Sequence, residues 1–351
     1  MTTLAAAPVV KISVGGKEIP ADHFLAYTVD RDMFQPDMAQ VVLTNQGDVY
    51  STAKVGDAVE IKVGKDLKVI YQGEVVGVEP TYKGGEKSRM LLRCMNKFHR
   101  MLRKRKSVTY TDKTDQAILS QVVQGAGLTL DWKHEKTITY KHVYQHNQSD
   151  MEFLRMRAAR MGCHVWCDGT TLHVKQPDLG SESGIELKVD QSSPEATLRH
   201  FAPRVNSSAI VNKVTVKGWN PETKELITGE ATAQSSPLGA QNAVAASGNM
   251  GNEETFNVDQ PIWSKEEADA IAKAKLQDAS LSYMTGEAEL TGNADFELGK
   301  CVKITANGNS GSDPFNGKYY IMGITHRHTA PRAREGGYVT ILRLARDAQG
   351  G

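Results

Sequence analysis

The sequence has almost no net charge. Its 42 Lys and Arg offset 41 Asp and Glu over 351 residues, which leaves +1. Proteins that hold nucleic acid carry a clustered positive excess, so the balance removes the first support for that class. No stretch approaches the roughly 18 apolar residues of a membrane helix. The opening "MTTLAAAPVV" lacks a basic segment and a long enough apolar run for a secretory signal. Synthesis and folding in the cytoplasm are expected, with no membrane insertion by this chain. Cysteine is scarce: Cys94, Cys163, Cys167 and Cys301 are the whole supply. That fits a reducing compartment without a disulfide framework. Also missing are G-x-S-x-G, a P-loop, H-E-x-x-H, and a G-x-G-x-x-G after a strand. The sequence therefore assigns no catalytic, cofactor-binding or metal-binding residues and implies no cofactor.

What the chain has in quantity is short strands. "VVKISVGG", "FLAYTVDRD", "MAQVVLTN", "DAVEIKV", "VIYQGEVVGVEP" and "SRMLLRCMN" fill the first hundred residues, with Gly, Pro, Asn and Asp between them. Regular short strands predict a barrel or sandwich. Part of this region recurs. "VGDAVEIKV" at 55–63 matches "LGKCVKITA" at 298–306, and "VVGVEPTY" at 75–82 matches "IMGITHRH" at 321–328. A closing strand follows each, "RMLLRCMN" or "YVTILRLAR". Three elements in one order predict an internal duplication.

The middle has a different period. Ile118, Leu119 and Val122 predict a helix over about 114–124, stopped by Gly125 and Gly127. Ser149 and Glu152 form a capping-box pattern, and Phe153, Leu154, Ala158 and Met161 line one helix face before Gly162. A second capping box, Ser264 to Glu267, opens a helix at 264–280. Residues 228–258, small and polar without periodicity, are expected to be a long loop. The expected fold class is mainly β with α+β. Two β-barrels, 1–107 and 196–351, are linked by a smaller α/β domain at 108–195, and the loop and helix are inserted in the second barrel.

The stretch "GCHVWCDG" looks at first like a metal or redox site. Asp168-Gly169 signals a two-residue hairpin turn, which would pair Val165 with Leu172 and set His164 across from His173. A four-residue turn would shift the pairs by two and keep the faces. Cys163, Val165, Cys167, Leu172 and Val174 then share an apolar face. Residues four apart on a strand lie roughly 13 Å apart, too far for a disulfide or for one zinc ion. The cysteines are expected in a core. His164, Trp166 and His173 fall on the opposite face, expected to be a polar exterior or a subunit contact. The same reading applies to His326 and His328. His142 and His146 lie in an extended segment that makes no metal motif. The basic run "HRMLRKRKS" at 99–107 could contact phosphate, but no aromatic platform accompanies it. A solvated or salt-bridged segment is the simpler expectation.

"RKSVTYTDKTDQAILSQVVQGAGLTL" followed by "KHVYQHNQSDMEFLRMRAARMGCHVWCDGTTLHV" resembles the hub proteins of contractile tails. These are the phage late control gene D proteins and the amino-terminal part of the type VI secretion spike VgrG. Thr114, Ile118, Leu119, Gln145, Ser149, Asp150, Phe153, Leu154, Ala158 and Gly162 occupy the positions of that pattern. Met156 stands near the position where the family has Arg, so no role is carried over for that arginine. The closing strands agree, with His326 at the family's histidine position. The resemblance covers nearly the whole chain. It implies barrels similar to the tail-tube subunit and a non-enzymatic homotrimer that joins a hexameric inner tube to a trimeric spike. No spike-like barrel or β-helix follows the second barrel, so the spike is expected to be a separate protein. Other baseplate proteins, and cargo or a tape measure in an axial channel, complete the implied partners. The implied place is a phage tail or injection particle assembled from a protein made in the bacterial cytoplasm.

Three alternatives remain open at this level: a tail-associated cell-wall hydrolase, a type VI spike-like component, and a free β-rich binding protein. If the two cysteines are core residues, Cys163→Ala or Cys167→Ala should lower stability at the low end of roughly 1–3 kcal/mol. Zinc in the purified protein should stay near zero by elemental analysis, and a stoichiometric content would overturn the strand-spacing argument.

Overall fold

Alternation of apolar and polar residues at a period of two builds most of the molecule. In "MAQVVLT", Ala39, Val41 and Leu43 turn inward while Met38 and Gln40 stay exposed. The computed structural model describes residues 9–82, 84, 88–189, 198–207, 210–248, 250–258, 260–306, 313–330 and 337–350. It is mainly β with α+β, as expected. The expected boundary between the second and third domains, at 195 and 196, lies outside the described residues.

The first β unit comprises β1 (Val10–Val14), β2 (Lys17–Glu18), β3 (Phe24–Asp32), β4 (Met38–Thr44), β5 (Ala58–Val63), β6 (Lys68–Thr81) and β7 (Arg89–Met95). The middle unit follows with β8 (Arg105–Thr114), α1 (Asp115–Gln124), β9 (Thr129–Lys133), β10 (Thr139–Ser149), α2 (Asp150–Arg160), β11 (His164–Asp168) and β12 (Thr171–Lys175). Next come β13 (Glu182–Lys188), β14 (Leu198–Val205), β15 (Val211–Asn220), β16 (Glu225–Thr232), β17 (Gln241–Asn242), α3 (Ala243–Ala246), β18 (Asn252–Asn257) and α4 (Lys265–Leu281). The chain closes with β19 (Met284–Thr291), β20 (Cys301–Thr305), β21 (Gly317–Thr329), β22 (Gly337–Arg346) and β23 (Ala348–Gln349).

The repeat seen in the sequence is a repeat of backbone geometry. The first unit orders its strands β3-β4-β7-β6-β5-β1, and the second orders them β14-β19-β22-β21-β20-β13. Their irregularities also correspond. The β6–β7 ladder slips between Val75 and Gly77, and the β21–β22 ladder between Ile321 and Gly323. The β3–β4 ladder slips between Phe24 and Ala26, and the β14–β19 ladder between Leu198 and His200. Gly56 donates its N–H to Val75 at 2.8 Å, and Gly299 to Ile321 at 3.1 Å. Val75 and Ile321 answer to Asp57 and Lys300, each at 2.9 Å. The last pair departs from the repeat, since β1 runs antiparallel to β5 while β13 runs parallel to β20. β21 pairs with β3 along Gly323–Thr329 and joins both units in one 13-stranded sheet. Separate hydrophobic cores lie behind its two halves. Among the described residues, β14 pairs only with β19, and the Gly77–Thr81 end of β6 only with β7. Each of these edges carries a proline, Pro203 and Pro80.

The middle unit packs α1 and α2 on the β11–β12 hairpin and the β8–β10 ribbon around its own core. Thr114 caps α1, and Ser149 with Glu152 forms the expected capping box on α2. Asp115 and Arg157 pair at 2.6 Å, both buried, with the guanidinium over Tyr140. The expected loop at 228–258 is corrected by the structure. β16 runs to Thr232, a short helix occupies Ala243–Ala246, and β18 spans Asn252–Asn257. β16, β15 and β18 form a sheet covered by α4. Its small residues are what that packing demands: a Cβ on Gly229 would overlap the backbone of Ala268, and one on Gly218 would overlap Ile262. The same small residues hide the strand signal in the sequence. The second capping box is also corrected. Ser264 caps α4, but the Glu267 carboxylate accepts from Trp263 N–H at 2.9 Å and pairs with Arg160 at 2.6 Å.

The paired glycines give a direct test. Gly56 and Gly299 have φ of 97° and 80°, a region that costs an L-residue roughly 1–2 kcal/mol. A Cβ at Gly56 meets open space, whereas one at Gly299 lies 3.2 Å from the Trp166 ring. Both alanine variants should unfold at lower urea than the parent, Gly299→Ala lowest. Equal losses would mean that the Trp166 contact adds nothing.

Candidate functional site

The turn of the β11–β12 hairpin is centred one residue later than expected. The pairs are Asp168 with Thr171, Cys167 with Leu172, Trp166 with His173, and Val165 with Val174. Gly169, at φ 56°, takes the first central position of the turn. The shift moves each partner by two residues, so the faces are those expected. Cys163 and Cys167 lie in the middle unit's core with Val165, Leu172 and Val174. Burial pushes both thiols up to about 12. His164 and His173 are not opposite one another: Trp166 stacks on His173 with centroids 4.9 Å apart.

The opposite face is not an exterior. His164 and Trp166 are 3% and 8% exposed. His164 Nδ1 and the Tyr320 hydroxyl are 3.2 Å apart, and Trp166 packs among residues of the second unit's core. Strand alternation shows which side chains share a face but not what covers it. Here the second β unit covers it. The turn docks on the first unit. Asp168 pairs with Arg31, Phe34 N–H donates to Val165 at 2.6 Å, and Gly169 lies against Gln72. Arg31 also pairs with buried Asp37 at 3.3 Å. His173 is 2.8 Å from Asp131 and 3.4 Å from Asp168, and Lys175 completes the chain of charges at Asp131.

The other histidine pair is corrected in the same way. His326 and His328 are buried on the inner side of the sheet. His326 Nδ1 is 2.9 Å from the Tyr338 hydroxyl, and His328 stacks on Phe24. His142 and His146 lie in β10, as the extended reading implied. The basic run is largely neutralised within the chain. Glu74 takes Arg100 and Arg103, Glu152 takes Arg105, and Asp150 takes Lys106 at 2.6 Å. Phe98 and Met101 anchor the segment in the middle unit's core.

A cleft of about 1160 Å³ lies between the middle unit, α4 and β16. Its charges face one another: Lys133 pairs with Asp178, Lys265 with Asp269, and Lys273 with Glu135. Of these, only the Lys273–Glu135 pair crosses the cleft, from α4 to the middle unit; the other two lie within one side. Among the described residues, no group of three or more His, Cys, Asp or Glu side chains could hold a metal ion. No described helix is long and apolar enough to cross a membrane.

Polar side chains also link up across the face of the shared sheet turned away from both cores. Arg93 on β7 reaches Glu79 on β6 at 2.5 Å. At the equivalent place Arg343 on β22 reaches Thr325 on β21 at 3.2 Å, and Asp30 and Asp32 on β3 at 3.1 and 3.2 Å. The chains of charge run across strands and through the β21–β3 junction, which the sequence could not show.

A family model described as the Alg8 N-terminal domain matches residues 9–330. The chain belongs to that family. The name differs from that of the late control gene D proteins, and the likeness to tail proteins comes instead through the fold. A tail protein from Neisseria meningitidis shares 16% identity over 97% of each chain, with a TM-score of 0.74. The 43 kDa tail protein of prophage MuSo2 from Shewanella oneidensis shares 13% over 98% of this chain and all of that one, at 0.71. An E. coli component of the type VI secretion system, similar to T4 bacteriophage tail proteins gp27 and gp5, shares 11% over 95% of this chain and 76% of that one, at 0.65. No curated protein matches the sequence. This member of the Alg8 N-terminal domain family therefore has a fold shared by phage tail proteins and a type VI secretion system component.

The buried histidines make the joint between units sensitive to acid. Burial pushes His164 down to about 4. The unfolded chain binds that proton near 6.5, so this stability is complete above about pH 6.5 and is lost as pH falls toward 4. Asp37, raised to about 6 by burial, works in the opposite direction over part of that range. Unfolding titrations should show stability falling from pH 7 to 4.5. His164→Gln should flatten that fall by up to about 1.4 kcal/mol per pH unit. An unchanged slope would remove His164 as its source.

Proposed function

We propose that the chain is a structural baseplate hub of a contractile phage tail or a tail-like injection system. Its three domains would be two tube-like barrels and the smaller α/β unit between them. Three copies would form a homotrimer that joins a hexameric inner tube to a trimeric spike supplied by a separate protein. Other baseplate proteins would surround it, and cargo or a tape measure would occupy the channel.

The observation that carries this reading is the duplication. Two units with the same strand order, the same glycines and the same ladder slips are fused side by side through β21 and β3. Three such chains offer six similar units to a sixfold tube and three identical chains to a threefold spike. Closed rings are built from heterologous contacts of this head-to-tail kind. The fold shared with tail proteins supports the same setting. The role needs no reacting group, since its work is shape and symmetry matching.

Light scattering on the chain mixed with its neighbouring tube and spike proteins should give a trimeric hub bound to both. A chain that stays monomeric and ignores both would overturn the reading. Clearing of a purified cell-wall suspension would favour the hydrolase instead.

A further inference from the structure

The β21–β3 junction is a worked example of how two units of this kind meet. β21 and β3 pair as Gly323 with Asp32, Ile324 with Arg31, Thr325 with Asp30, and onward to Thr329 with Ala26. The duplication supplies a counterpart for each side. Gly77 and Gly323 each pair with an arginine, Arg93 and Arg343, just past equivalent slips, so the exposed end of β6 corresponds to the paired end of β21. Arg93 faces Gln40 and Arg343 faces Glu287, and these face Thr28 and Ala202. β14 therefore corresponds to β3. Both counterparts have one unpaired side among the described residues.

We infer that a second copy of this chain covers these edges: the Gly77–Thr81 end of β6 in one copy pairs with β14 of the next, in the register of the internal junction. This deepens, and rests on, the trimeric hub reading. The correspondence sets Val78 opposite Val205, Glu79 opposite Arg204, Pro80 opposite Pro203, and Thr81 opposite Ala202.

Side chains at these positions fit that occupant. Val205 is 45% exposed, an apolar residue on an open edge, and Val78 would cover it. Arg204 is exposed and has no ion-pair partner among the described residues. At the internal junction a charge chain crosses three strands, from Arg343 past Thr325 to Asp30. At the open edge the chain starts with Arg93 and stops at Glu79. Arg204 of the next copy would complete it, with the carboxylate now in the middle. Exposed pairs of this kind contribute little strength and mainly fix register and partner choice. The backbone bonds and the valine contact would hold the edges together.

The test uses the full chain with its tube and spike proteins. Val78→Cys and Val205→Cys are combined, since all four native cysteines are buried. Mild oxidation should convert most of the assembled protein into linked dimers and trimers on a denaturing gel. The register-shifted pair, Thr81→Cys with Val205→Cys, should link at least fivefold less. Arg204→Glu should weaken assembly at least tenfold while leaving the circular dichroism unchanged, and Arg204→Lys should restore most of it. A trimer by light scattering that fails to link through 78 and 205 would overturn this edge pairing and leave the hub standing. A monomer under every condition would overturn both.

Discussion

The architecture depends on one hairpin that has no free face. β11 presents Val165 and Cys167, with Cys163 just before it, to the middle unit's core, and His164 and Trp166 to the second β unit. The hairpin's turn rests on the first unit through Asp168 and Arg31. A strand buried on both sides is ordinary in the centre of a parallel α/β sheet. Here it stands where three bodies meet, so its side chains set how those bodies sit together. Apolar burial supplies most of the stabilisation at such a joint. The ion pairs from buried Asp37 through Arg31 to Asp168 add direction, because the Asp37–Arg31 pair sits in a drier setting that tolerates few arrangements.

The second organising feature is that the chain meets itself. Duplication places two copies of one strand arrangement in a single polypeptide, and β21–β3 pairing turns a contact between domains into a continuous sheet. Gly77 and Gly323 mark where each half bends. At Gly323 a Cβ would collide with the Arg343 guanidinium, which is the residue that bridges to the other half. The glycine is thus part of the junction's chemistry as well as its curvature.

Much of this was legible in the sequence, for identifiable reasons. Apolar alternation located β3 to β7, because each strand has one buried face. Ser149 and Ser264 marked helix starts because a capping side chain must follow a fixed spacing. The repeat was visible through Gly56 and Gly299, since their positive φ leaves few alternatives. What failed shares a cause. His164, Trp166, His326 and His328 were placed on an outer face because period two says nothing about the element packed beyond it. β16 was missed because Gly229 and Ala231 are small to admit α4, and the hairpin register slipped because Asp168-Gly169 and Gly169-Thr170 compete for one turn. The charge chain through Arg343 and Asp30 joins residues 313 positions apart, a separation that no local pattern encodes.

Pro80 and Pro203 have a consequence for the time between synthesis and use. An unpaired strand is a template on which any extended chain can grow, and open edges are where soluble proteins begin to form fibres. A proline in each edge removes one donor from the ladder at that point. A stray strand then finds an interrupted row and gains little by staying. The two prolines thus make these edges poor templates for unspecific strand addition.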